Sequence, residues 1–271
     1  MKIPLSKKIL PILSGVEIGI PINLMSKIST EANFLKSPLT KESILLNFLL
    51  GFTTYKGDRY LDALETLNEN DLTNLYVGNL SNSKLNYYES ILENEKSVQF
   101  TLFCSYISLC IFVVYYHIGL IVPLITSTFM YKSLKQNKKI SFLKPFYVAG
   151  MWTFSCCMIP LLLSGNEINQ VSIIDAMDFN DYYQLLSPTF LSLFSTTNLA
   201  DLKDVDEDLI NGVNTLPILL GTQKTKGIVL ISSLLSIYIF MQSEYFTWSL
   251  QNLFFISSGL FPNLHIFNNT I

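Results

Sequence analysis

Charge is what this chain has least of. Asp, Glu, Lys and Arg make up only 14% of its 271 residues, whereas soluble globular domains carry about a quarter. That shortfall excludes an ordinary water-solvated surface over most of the molecule. Arginine is nearly missing, since Arg59 is the only one among 18 basic residues, and the net charge is −3. No basic stripe is available to hold phosphates along a strand, so nucleic acid is excluded as a partner. The four cysteines, Cys104, Cys110, Cys156 and Cys157, all fall in apolar runs and read as small packing residues, not as a disulfide framework or a thiolate metal site. His117 and His265 are isolated and read as packing or interfacial residues. No cleavable targeting signal is evident: Met1–Lys8 precedes an apolar stretch, but Glu17 interrupts it and no small-residue cleavage site follows.

What the chain does have is hydrophobicity, 49% of its residues, gathered into long uncharged runs. A membrane-crossing helix needs about 20 predominantly apolar residues. Residues 9–26 offer a first, weak span with Glu17 as its only charge. The apolar run 43–55 is too short to cross unless its helix continues through Asp58 and Asp62. Residues 97–131 carry no charge, enough for helices at 97–116 and 119–133, and further runs lie at 145–166, 182–200, 227–243 and 245–262. That makes about eight spans, with a polar loop over 64–96 that holds a surface helix near 84–93. Segments in lipid must satisfy their backbone groups internally, so the expected fold is an all-α integral membrane protein, a bundle of about eight transmembrane helices in one domain covering 1–271. With the N-terminus inside, the lysine-rich connection 132–144 is cytoplasmic or its organellar equivalent, and the acidic, lysine-free connection 167–181 is outside.

The remaining charge is clustered. Asp201, Asp204, Asp206, Glu207 and Asp208 crowd into eight positions just after an uncharged run. On a helix Asp201, Asp204 and Asp208 stand at i, i+3 and i+7 and share a face, where like charges repel. A cation removes that repulsion. A smaller pair, Asp58 and Asp62, also ends an apolar run, and the topology puts both clusters on the same side of the membrane. Such carboxylates suit Mg²⁺, which takes oxygen ligands and uses one or two carboxylates together with waters and substrate phosphates. Each cluster is expected to hold one ion, with a diphosphate between the ions, and ionisable groups at membrane depth are functional by default.

Three segments carry a resemblance. Asp201-Leu-Lys-Asp204-Val-Asp-Glu-Asp208, followed by Gly212-Val-Asn-Thr215-Leu216-Pro217-Ile-Leu-Leu-Gly221, is similar to the second aspartate motif and trailing TLP segment of the UbiA superfamily of intramembrane prenyltransferases. Asp58-Arg59-Tyr60-Leu61-Asp62-Ala63 resembles the DRxxDA half of that family's first motif, and Tyr131-Lys132-Ser133-Leu134-Lys135 resembles its YSxxLK segment. The resemblance implies a UbiA-like helical bundle that moves an isoprenyl group from an isoprenyl diphosphate to a lipophilic aromatic or tetrapyrrole-like acceptor. It further implies that Asp58, Asp62, Asp204 and Asp208 are catalytic through Mg²⁺. Asp201 would join them, Lys135 would pair with the diphosphate, Tyr131 would line the pocket, and Arg59 would orient neighbouring carboxylates beside the substrate. A plastid, mitochondrial or bacterial inner membrane is the implied location.

The chain also departs from the family. Thr54-Tyr55 stands where the first motif has Asn-Asp, the basic-proline segment that follows it is replaced by the polar stretch 64–96, and about eight spans are found where nine are usual. These departures keep open a second reading, a catalytically degenerate UbiA-like protein serving as a structural or lipid- or pigment-binding subunit in a larger membrane complex.

Overall fold

A computed structural model describes residues 40–68, 82–116, 130, 131, 133, 134, 137–162, 179–210, 212–243 and 256. Among them every regular element is helical and no strand occurs. The helices are α1 (Lys41–Asn68), α2 (Asn82–Glu93), α3 (Glu95–Tyr116), α4 (Lys144–Leu162), α5 (Phe179–Lys203), α6 (Val205–Ile210), α7 (Leu216–Leu220) and α8 (Thr222–Gln242), with a 3-10 turn at Ser141–Leu143 leading into α4. The expected spans at 9–26, 119–133 and 245–262 fall wholly or mostly outside the described residues. The described residues divide into two compact units, one holding residues 45–68 and 82–116, the other residues 40–44 and those from 130 onward.

Helix α1, which belongs to the first unit from Leu45 onward, begins at Thr40, whose hydroxyl accepts the Ser43 amide at 3.1 Å and so satisfies one of the helix's orphan donors. The helix then runs without interruption through Asp58 and Asp62 to Asn68, the continuation that a span starting at residue 43 requires. Ala63, Tyr88, Ile91, Val98 and Leu102 form the core, with Tyr60, Tyr87 and Leu92 packed on it. A polar triad lies beside that core: Tyr60 donates to Glu95 Oε1 at 2.8 Å, and Gln99 donates to Tyr60 Oη at 2.7 Å. Along α3 the buried positions Val98, Leu102, Ser105, Leu109 and Val113 recur every three or four residues, one helical stripe. The opposite face is just as apolar and exposed, with Phe100, Phe103, Ile107, Ile111 and Val114. This helix is therefore hydrophobic all round but packed on one stripe only.

The second unit is built around α5, which packs against α4 and α8. Phe194 meets Phe146 of α4 at a centroid distance of 4.6 Å, and Ala149, Phe194 and Leu216 form the centre of the apolar contact. The α5–α8 seam is polar and made of small residues. Ser195 Oγ donates to Val229 O at 3.0 Å and lies 2.6 Å from Ser233 Oγ, while Ser236 Oγ donates to the Pro188 carbonyl at 2.6 Å. Small residues let two helix backbones approach, and hydroxyl bonds across them are the usual adhesive where lipid removes the hydrophobic drive for association. Pro188 lies inside α5, where it deletes one backbone donor, and Ser236 donates to its carbonyl.

Among the described residues two helices, over Glu95–Tyr115 and Thr222–Gln242, are long and apolar enough to cross a membrane. At about 1.5 Å per residue such a helix covers the roughly 30 Å hydrocarbon layer.

Candidate functional site

The second acidic cluster forms where α5 ends. Buried residues Phe194, Ser195, Asn198, Leu199 and Asp201 mark the inward face of this helix, so the packing that seats Phe194 carries Asp201 inward two turns later. Asp201 is only 6% exposed and Asn198 fully buried. The helical path nearly survives the bend at residue 204: the Asp204 amide donates to Asp201 O at 3.3 Å and the Asp208 amide to Asp204 O at 2.8 Å. These two backbone bonds link Asp201, Asp204 and Asp208 across the bend that separates α5 from α6.

Past α6 the chain reverses. Gly212 adopts φ +64, a left-handed conformation that side chains with a Cβ resist, and the Val213 amide donates back to Asp208 O at 2.9 Å. The Thr215 hydroxyl then donates to Asp208 Oδ2 at 3.1 Å. A further bond, from the Asn214 amide to Lys138 O at 2.9 Å, ties this loop to the lysine-rich turn before α4.

Two buried oxygens here, Asn198 Oδ1 and Asp201 Oδ2, have no hydrogen-bond partner, and they stand one helical turn apart. Leaving such an atom unsatisfied costs about 1–3 kcal/mol, so the pair marks a place suited to an added donor or cation. Burial pushes the Asp201 carboxyl up to about 7; Lys144 opposes that rise, and repulsion from Asp208 and Asp204 adds to it. Lys144 opens α4, and its Nζ lies 6.0 Å from the centre of the Tyr131 ring. The fold thus brings Tyr131 and Asp201 to one lysine that sequence reasoning did not single out. Within the cluster 132–144 nothing distinguishes Lys144 from its neighbours, because its role depends on where α4 starts. Lys135 lies outside the residues whose side chains are described.

The first cluster sits in the other unit, on α1. Arg59 Nη1 lies 3.3 Å from Asp62 Oδ2, an i, i+3 pair, and Arg59 also hydrogen-bonds the Tyr88 side chain. Thr54 is exposed, and Lys56, two residues before Asp58, is fully buried. Lys56 is a second residue that the motif pattern did not flag. From Lys56 to Asp62 the formal charges of Lys56, Asp58, Arg59 and Asp62 cancel, whereas Asp201–Asp208 keeps a net negative charge against the single Lys203.

Among the described residues no three His, Cys, Asp or Glu side chains converge as a preformed metal cage. Mg²⁺ does not require one, because it keeps several waters and takes one or two carboxylates with substrate phosphate. An unpartnered, buried carboxylate oxygen that feels the charge of Asp204 and Asp208 fits that mode of binding. No protein-family model, curated protein or solved structure matches the chain.

Proposed function

We propose that this protein is a multi-pass membrane prenyltransferase of UbiA type, with about eight spans, that uses Mg²⁺ to move an isoprenyl group from an isoprenyl diphosphate to an aromatic or tetrapyrrole-like acceptor. The observation that carries this reading is the Asp201 carboxylate, buried with an orphaned oxygen at the head of a motif whose spacing resembles the family's. Asp204 and Asp208, with Asp201 behind them, are the residues that would hold the ion. Mg²⁺ supplies charge neutralisation for the departing pyrophosphate, so that an allylic C–O bond can ionise. The chain's own contribution is to gather carboxylates at one helix end and to keep water from Asp201. Lys144 lends positive charge beside Tyr131. Asp58 and Asp62 are assigned the second ion, with Arg59 orienting Asp62, and Lys135 the diphosphate. The acceptor attacks the allylic carbon, loses its proton, and pyrophosphate leaves.

The test is pyrophosphate release by the purified full chain in detergent with Mg²⁺, isoprenyl diphosphates of several lengths and aromatic acceptors. Release is expected, and Asp204→Ala is expected to abolish it. Donor binding without turnover, identical in wild type and Asp204→Ala, refutes the reading. One observation favours the alternative, a non-catalytic subunit of a membrane complex: Asp62 is already paired with Arg59, and Thr54-Tyr55 brings no carboxylate to replace it. Stoichiometric copurification with partner subunits, together with no pyrophosphate release, supports that alternative. A plastid, mitochondrial or bacterial inner membrane is the proposed location under either reading.

A further inference from the structure

Thr215 immediately precedes α7, where a threonine hydroxyl ordinarily caps the helix by accepting an amide from its second or third residue. It makes no such bond. The second residue of α7 is Pro217, which has no N–H to offer. The amide of the third, Ile218, donates to the Thr215 carbonyl at 3.1 Å, as does that of Leu219 at 3.0 Å. The proline thus removes one competitor for the hydroxyl and the carbonyl takes the other; Thr215 is 3% exposed, and its hydroxyl donates to Asp208 Oδ2 instead. Thr215 is itself held in place: its carbonyl anchors α7, and the loop before it is fastened by the Asn214–Lys138 and Val213–Asp208 backbone bonds.

We propose that Thr215 is a positioning residue, holding the Asp208 carboxylate in the orientation in which it ligates a divalent cation. This rests on the metal-dependent reading above. A carboxylate has about four lone-pair sites, so one that accepts a hydroxyl at one oxygen can still bind a cation. Fixing its rotamer beforehand removes an ordering cost from metal binding, which is why partners of metal-ligating groups change affinity when they are removed.

The test is Mn²⁺ binding, followed by electron paramagnetic resonance on the full chain in detergent without substrate, together with the thermal midpoint of the metal-free protein. Thr215→Val keeps the shape and removes the donor; it is expected to weaken Mn²⁺ binding about tenfold, at the lower end for outer-shell changes. Thr215→Ser restores the donor and is expected to bind like wild type. In an Asp208→Asn background the Thr215→Val effect should vanish, because its route runs through Asp208. Equal binding by Thr215→Val and wild type overturns the positioning role, as does equal weakening by Ser and Val, or an undiminished effect in Asp208→Asn. Asp204→Asn separates this failure from that of the underlying reading. If wild type binds no Mn²⁺, or Asp204→Asn binds it equally well, both fall; if Asp204→Asn weakens binding and Thr215→Val does not, only the positioning role falls.

Discussion

Replacing Asp201 by asparagine tests the electrostatics of the α5 end directly, because the amide keeps the shape and removes the titration. In the folded protein the Asp201 carboxyl is raised from 3.8 to about 7, while in the unfolded chain it returns to the ordinary value. Between those limits the folded state binds a proton that the unfolded state does not, so stability falls as pH rises. The stabilising effect of the bound proton is fully present below about pH 4 and is lost by about pH 7. Each unit is worth roughly 1.4 kcal/mol, giving on the order of 4 kcal/mol across the window. At 6% exposure solvent screening takes little of it. At the usual conversion for a chain of this size, the wild-type midpoint at pH 8 lies about 10 °C lower, relative to pH 4.5, than that of Asp201→Asn. The assay is thermal unfolding of both full chains in the same detergent across pH 4.5–8, without divalent ions, with the difference between the two curves as the measured quantity. Adding Mg²⁺ at pH 8 should raise the wild-type midpoint more than the variant's, since a cation stabilises the ionised carboxylate. Parallel curves for wild type and Asp201→Asn would refute the argument, for they would mean that the carboxyl is solvated or already paired.

Two further outcomes follow from the second unit. Ser195→Ala leaves the Ser233 hydroxyl and the Val229 carbonyl short of a partner and is expected to cost about 1–2 kcal/mol; the Ser195→Ala, Ser233→Ala double variant should cost less than the sum of the single changes, as measured by a denaturation cycle. Gly212→Ala puts a Cβ into a left-handed residue, with nothing within 4 Å of it, so the loss comes from the backbone alone. It should be about 1–2 kcal/mol in the same assay.

Much of the local architecture was legible beforehand. The uncharged runs at 97–116, 145–166 and 182–200 correspond to α3, α4 and α5, and the surface helix near 84–93 to α2. Helical spacing puts Asp201, Asp204 and Asp208 on one face of an unbroken helix, whereas the structure divides that stretch between α5 and α6 at a bend bridged by two backbone bonds. The polar character of the α5–α8 seam was not legible. Ser195, Ser233 and Ser236 look like neutral residues in apolar runs, and nothing along the chain says which of them will face one another.

The sequence by itself determined the helical class, the places where charge interrupts hydrophobicity, and the clustering of the aspartates after an apolar run, because these depend on the 3.6-residue period and on composition. Only the tertiary structure decided what surrounds those aspartates. Asp201 is buried because Phe194, two turns earlier, packs on α4; the charge of Lys144 reaches it because α4 begins where it does; and Asp208 is held by a residue seven positions later because Gly212 turns the chain back. Each of these contacts joins groups that no helical period brings together, so burial, chain reversal and packing had to settle them.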